Sequence, residues 1–587
     1  MTSRSVGRAV LESMCGAGID RVYAIAGTDF APLIEAWAQD AEVRVDHGDG
    51  RSGGEWHGGR RAEGRGDGPG GVPEPLLVAH EAVAVGMAHG AWLASGRPQA
   101  AIVHVSVGTA NALCALMNAA RDRVPLLFAA GRTPITEAGR HGSRDVHIHW
   151  GQELFDQAAM LRELVKWDFE LRDSLPVAPV VSRAVALAMT EPKGPVYLSL
   201  PREVLAGTDA RPQEWALAMP ASPPHPDPAA LSCLADRLTT ARFPIVVVGA
   251  AGHDPTIVAA LAELCDTAGV GLVERTTRAV HLPDSHPAHL GQRPDAVLGE
   301  ADVVIVLDSD VPWFPGLAAP HDDAFVAQIG VDPLFSTYPL RTHRADLSIC
   351  AAPAAAVTAL TGELRSRLDP AVVAERRATV ESRAAQLRGQ IEAEAAADDA
   401  SDGPITKVTL TRALAQVLTP EAVVVNEYPL VREHLPRSMS GTWFHHPPSG
   451  GLGWGLPAAL GVQQARPDAT VVAAVGDGAY LFANPAACHH AAAAHGLAVL
   501  TVVCNNRRWD AVRWSTTGMY PEGSAAGATQ MDLVSLEPVP DYVRYVEASE
   551  GWGARVEGRQ DLVPTLREAL RVVTEDRRQA LVDVACA

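Results

Sequence analysis

The chain lacks an apolar run long enough to cross a bilayer, since none of its 587 residues sits in an uninterrupted stretch of about 18 to 20. No secretory leader is expected, since MTSRSVGRAVLESMCGAGID breaks into Gly, Glu and Asp before an apolar signal core forms. No Cys-x-x-Cys pair occurs, and the eight cysteines lie far apart, mostly inside apolar runs. They are expected to be reduced core residues rather than disulfides or zinc ligands. Positive charge is also scarce. Lys and Arg total 49 against 69 Asp and Glu, a formal net charge of -20, which argues against nucleic acid or an anionic membrane as partner. No strand is followed by a full G-x-G-x-x-G, which leaves a nicotinamide oxidoreductase without its fingerprint. A cytoplasmic, multidomain globular protein is expected.

What is present is a series of short, continuously apolar β-branched segments alternating with Ala- and Leu-rich helical stretches. AAIVHV, VPLLFAAG, PIVVVGA, DVVIVLD, TVVAAVGDG and LAVLTVVCNN are the clearest. Strands apolar on both faces belong to parallel sheets covered by helices, so the fold class is α/β, with three doubly wound parallel-sheet domains on one plan. Composition sets the boundaries. A first domain runs over 1–206, a Pro-rich linker over 207–228 and a central domain over 229–363. A charged helical connector covers 364–404 and a last domain 405–587. A Gly-rich insertion, 47–74, with eleven glycines from Gly48 to Gly71, reads as a surface loop without chemistry.

The strongest motif lies in the last domain. The strand TVVAAV runs into Gly476-Asp477-Gly478, and the next strand ends at Asn505-Asn506. Parallel strands end on one edge of the sheet, where ligands bind. A carboxylate and an amide oxygen are thus expected together, with glycines at 476 and 478 letting backbone approach a bulky anion. Such hard oxygen donors beside an anion pocket suit Mg²⁺ or Ca²⁺ bound with a diphosphate.

Gly-Asp-Gly followed by Asn-Asn resembles the thiamine diphosphate signature of the pyruvate decarboxylase and acetolactate synthase superfamily. The resemblance implies Mg²⁺ ligation by Asp477, by the Asn506 side chain and by the main-chain carbonyl of Arg508. Asp477 to Asn506 spans 29 positions, about two more than is usual there. The excess is assigned to the intervening helix and loop. SGGLGWGLPAALG (449–461) resembles the family's GGLG segment, which implies that Leu452 wedges beneath the cofactor and that the Gly450 backbone meets its aminopyrimidine. In the first domain the resemblance makes Glu81 the cofactor activator, in a dry pocket that raises its pKa.

His104, placed 23 residues after Glu81 in IVHVSVGTANA, resembles benzoylformate decarboxylase at this position and is implied to face substrate as an acid or base. Asn111 and Thr109 either contact substrate or cap the next helix. The histidines of HIHWGQELFDQ (147–157), of HHPPS and at 489, 490 and 495 lack a third metal ligand at recognisable spacing and read as loop or helix-face residues. Gly249 and Gly252 give FAD only weak support in the central domain. Trp313, Phe314 and the segment 509–527 are expected to shape the substrate pocket.

The resemblance spans nearly the whole chain and implies a homodimer or homotetramer with active sites at the subunit interface. It implies decarboxylation of a 2-oxo acid through an enamine, released as aldehyde or transferred to a carbonyl acceptor. The alternatives are an acetolactate-synthase-like carboligase and a catalytically silent paralogue that binds cofactor.

Overall fold

The structure is a computed structural model that describes residues 4–46, 71–174, 177–208 and 217–587. The Gly-rich insertion up to residue 70 lies outside the described residues, as does part of the Pro-rich linker. Among the described residues no helix is long and apolar enough to cross a membrane.

Three all-parallel sheets form. The first contains β1 (Arg21–Ala24), β2 (Glu74–Leu77), β3 (Gln99–Val103), β4 (Leu126–Arg132), β5 (Asp168–Glu170) and β6 (Val196–Pro201), in the order β2-β1-β3-β4-β6-β5. The second contains β7 (Pro244–Val248), β8 (Gly271–Glu274), β9 (Val303–Leu307), β10 (Phe325–Gly330) and β11 (Leu347–Cys350), in the order β11-β10-β9-β7-β8. The third contains β12 (Val423–Glu427), β13 (Trp443–His445), β14 (Val471–Gly476), β15 (Val499–Asn505), β16 (Trp552–Val556) and β17 (Ala580–Ala585), in the order β13-β12-β14-β15-β17-β16. The first and third sheets therefore repeat one strand order, and the second shares its first four places. The inner strands are buried along both faces, as their β-branched, uncharged sequences require.

A charged 30-residue helix, Pro370–Asp399, links the second sheet to the third. Val380 and Ala384 of that helix join the core of the middle unit. The first and third sheets share one apolar core, in which Val103, Phe128 and Tyr197 are continuous with Val425, Leu456, Val475 and Tyr480. The middle unit keeps a core of its own.

The shared core is built on two helices, Glu81–Ser95 and Gly455–Ala465, that cross at backbone contact. A Cβ placed on Gly90 would lie 1.9 Å from the Ala458 carbonyl oxygen, and one on Gly461 would lie 1.9 Å from that of Met87. Neither position has space for a methyl group. Gly90→Ala is expected to destabilise the protein by about 1 to 3 kcal/mol or more, the usual cost of overpacking, with a lowered thermal midpoint.

Candidate active site

At the edge of the third sheet, β14 and β15 run in register up to Gly476 opposite Cys504. Asp477, 3% exposed, opens the short helix Asp477–Phe482. Its Oδ1 accepts from the Gly478 N–H at 2.8 Å and its Oδ2 from the Arg507 N–H at 2.7 Å. The second bond ties the two strand ends together. Burial pushes the Asp477 carboxyl up to about 6, the cost of a desolvated charge whose partners are backbone amides. The stretch between the strands folds as two helices that meet at Asn484, in the left-handed region at φ +53°.

The two asparagines diverge. Asn505 donates through Nδ2 to Asp583 on the neighbouring strand at 2.9 Å, while its Oδ1 is buried without a partner. Asn506 folds over the loop, its Oδ1 accepting from the Arg508 N–H at 3.2 Å. Beside Gly476 there is open space, whereas the Trp509 ring lies directly on Gly478. One desolvated carboxylate, one amide oxygen and adjacent main-chain carbonyls form a donor set that fits Mg²⁺ completed by a diphosphate. Among the described residues no cluster of three His, Cys, Asp or Glu could hold a metal.

Glu427, at the end of β12, carries no sequence signal and is the best-buried acid of this edge. Its oxygens accept from the N–H groups of Gly453 at 2.8 Å and Gly455 at 2.6 Å. Burial raises its carboxyl to about 7. Gly453 has φ +86°, and a Cβ there would strike the Phe482 carbonyl. The loop is gripped from the first sheet as well. Asn118 Oδ1 accepts from Ser449 Oγ at 2.6 Å and from the Gly451 N–H at 3.1 Å, and its Nδ2 donates to the Gly451 carbonyl at 2.8 Å. Gly450, at φ +68°, and the half-buried Leu452 lie within this clamped loop.

In the first sheet, Glu81 begins its helix half-buried, and Asn111 Nδ2 donates to its Oε2 at 3.0 Å. Asn111 thus touches the acid rather than capping a helix. Thr109 is buried and donates to the Val105 carbonyl at 2.7 Å. His104 ends β3 as the N-cap of the helix Val105–Asn111, and its Nδ1 is hydrogen-bonded to the buried carboxylate of Asp29. Its Nε2 faces the Gln152 amide at 3.2 Å. The Asp29 hydrogen bond raises the His104 pKa. His149, expected to be a loop residue, is buried in this wall, with Nε2 at 3.3 Å from Thr28 Oγ1. Neither Asp29 nor Gln152 carried a readable motif, because each acts through a partner 75 or 48 residues away.

Trp313 is a core residue, packed edge-on against His343, while Phe314 is half exposed beneath the Arg275 guanidinium. All eight cysteines are free, but only Cys265, Cys488 and Cys504 are buried. The other five are half-buried or exposed, so the expectation of core cysteines is corrected for them. His489 sits on the helix Pro485–His495, on its buried face between Tyr480 and Gln579, which bond to its two ring nitrogens at 2.7 and 2.8 Å.

Fold and site together define an α/β protein with a candidate cofactor site where its parallel strands end. Residues 72–160 match the N-terminal TPP-binding domain of thiamine pyrophosphate enzymes, and residues 428–584 match the C-terminal TPP-binding domain. The chain thus carries stretches that match both TPP-binding domains of thiamine pyrophosphate enzymes, as its motifs implied. It is 27% identical to benzoylformate decarboxylase of Pseudomonas aeruginosa over 75% of this chain and 80% of that one. Acetolactate synthase isozyme 3 large subunit of Escherichia coli is 25% identical over 87% of each chain. In fold, the chain is similar to the thiamine diphosphate-dependent 4-hydroxybenzoylformate decarboxylase of Rhodococcus jostii RHA1, at TM-score 0.72, 20% identity and 99% coverage of both chains.

Two outcomes test the electrostatics. The raised His104 pKa means that the imidazolium persists to higher pH than in a free histidine, and is lost as pH rises through that value. Asp29→Asn should lower the His104 titration midpoint, followed by imidazole NMR. Glu427 is raised from about 4.5 to about 7, so its burial costs nothing while it is protonated in both states. Stability should then fall by roughly 3 kcal/mol as pH climbs between those values. In thermal denaturation across pH 4.5 to 7, Glu427→Gln should flatten this slope.

Proposed function

We propose that this protein decarboxylates a small 2-oxo acid with thiamine diphosphate and Mg²⁺ and releases an aldehyde. The observation that carries the reading is the Asp29–His104 pair at the edge of the first sheet. An imidazole oriented by a carboxylate through Nδ1 presents Nε2 as a site that can give or take a proton. Protonation of the product carbon is the step that distinguishes aldehyde release from transfer to a second carbonyl compound.

When bound, the cofactor supplies a nucleophilic carbon and an electron sink. In this proposal Asp477, Asn506 and the Arg508 carbonyl hold the metal, while the amides beside Gly476 and Gly478, with Asn505 behind them, receive the diphosphate. Gly450 and Leu452 shape the loop against the ring system. Glu81 hydrogen-bonds the pyrimidine and moves its proton, and Asn111 fixes the carboxylate for that task. The active unit is a homodimer or homotetramer in which Glu81 and the metal site come from different subunits.

A carboligase outcome is the second reading, favoured by the likeness to acetolactate synthase over 87% of both chains. Product analysis with pyruvate separates the two. Acetaldehyde alone supports decarboxylation, and acetolactate or acetoin supports ligation. Glu81→Gln should reduce turnover at least 100-fold without lowering the thermal midpoint, consistent with the usual worth of a positioned proton-transfer group. Full activity in that variant would sink the mechanism. Thiamine diphosphate and Mg²⁺ together should raise the midpoint of cofactor-stripped protein by mass action, and Asp477→Ala should abolish that rise.

A further inference from the structure

Between Gly453 and Gly455, the two glycines that Glu427 holds, the loop sends the Trp454 side chain inward. The Trp454 indole is buried, and its Nε1–H donates to His89 Nδ1 at 3.2 Å. His89 lies on the same helix as Glu81, fully buried, and its Nε2 meets Asp122 Oδ2 at 2.9 Å. An indole can only donate, so Nδ1 must carry the lone pair and Nε2 the proton. Asp122 thereby selects the one neutral tautomer that can hold Trp454. Asp122 is buried too, with the Arg278 guanidinium 3.6 Å away. Arg278 belongs to the middle unit and also meets Asp310 at 3.3 Å. Five side chains from three units, the half-buried Asp310 and the buried Arg278, Asp122, His89 and Trp454, thus form one polar line that ends in the loop.

We propose that His89 and Asp122 are positioning residues for the Gly450–Gly455 loop, and that Arg278 couples their setting to the middle unit. The inference rests on the cofactor reading of that loop. Neither residue need touch the cofactor, because both act through Trp454, which sits between the two glycines whose amides Glu427 holds. Glu427 fixes the height of the loop and the indole bond fixes its rotation. Leu452 and Gly450 are carried with it.

The test uses the full-length protein, first without cofactor and then with thiamine diphosphate and Mg²⁺. His89→Phe keeps the ring and removes the acceptor. His89→Gln keeps an acceptor and a donor at a similar separation and serves as the conservative rescue. In His89→Phe, hydrogen exchange of cofactor-free peptides over 449–455 should quicken roughly tenfold, and the Kd for thiamine diphosphate should rise roughly tenfold, the change expected for one buried hydrogen bond. Exchange elsewhere and the Mg²⁺ dependence at saturating cofactor should stay unchanged. His89→Gln should remain close to wild type in both readouts, and Asp122→Asn should loosen the loop as His89→Phe does.

A folded His89→Phe protein with wild-type loop exchange and cofactor affinity overturns the proposal, as does acceleration spread evenly over the chain. If His89→Phe does not fold, the comparison of His89→Gln with Asp122→Asn decides, and equal behaviour of the two overturns it. Failure of the wild type to bind thiamine diphosphate would overturn the cofactor reading instead, and the exchange data on cofactor-free protein would still decide the positioning role.

Discussion

Where Gly90 meets Ala458, no side chain separates two helices, and the space for a methyl group is already held by a carbonyl oxygen. This contact brings the first and third sheets close enough to share one apolar core. It also places Asn118 within hydrogen-bonding distance of Gly451, and His89 within that of Trp454. The loop between β13 and the Gly455–Ala465 helix has few apolar contacts to define it. Its shape comes from polar side chains that the helix crossing delivers.

The two sheets that meet there have the same strand order and opposite chemistry. Beyond β1, Asp29 is buried against His104, which follows β3. At the corresponding places in the third sheet stand Glu427, at the end of β12, and Asp477, after β14. In one half a carboxylate orients an imidazole. In the other, two carboxylates accept backbone N–H groups, and burial raises both. The same edge of the same topology therefore presents a carboxylate–imidazole pair in one copy and amide-bound carboxylates in the other.

Much of this was legible in the sequence, for specific reasons. Continuous apolar runs marked the inner strands because both faces of those strands are covered. Gly-Asp-Gly and Asn-Asn were readable because each sits where a strand ends, and strand ends are local. Glu427, Asn118, Asp29, Gln152 and His89 were not readable, since each acquires its role from a partner many residues away. The burial of Trp313 was not readable either, since it depends on a turn that folds the ring back onto His343, 30 residues on. The divergence of Asn505 and Asn506 follows from the pleat of β15, which sends alternate side chains to opposite faces.

The middle unit has a different bond to the rest of the molecule. Its apolar core is its own, apart from Val280, which enters the core on the outer face of the third sheet. It reaches the other two units chiefly through polar side chains such as Arg278, and through the Trp443 indole, which donates to the Thr277 carbonyl at 2.9 Å. Helices locked at carbonyl contact must be inherited as a matched pair, because a change on one side needs a compensating change on the other. A unit attached through a few charged and hydrogen-bonded residues is under no such restriction. The first and third sheets are thus bound to evolve as one block, while the middle unit is the part that a lineage can remodel or exchange, provided the arginine at its border is kept.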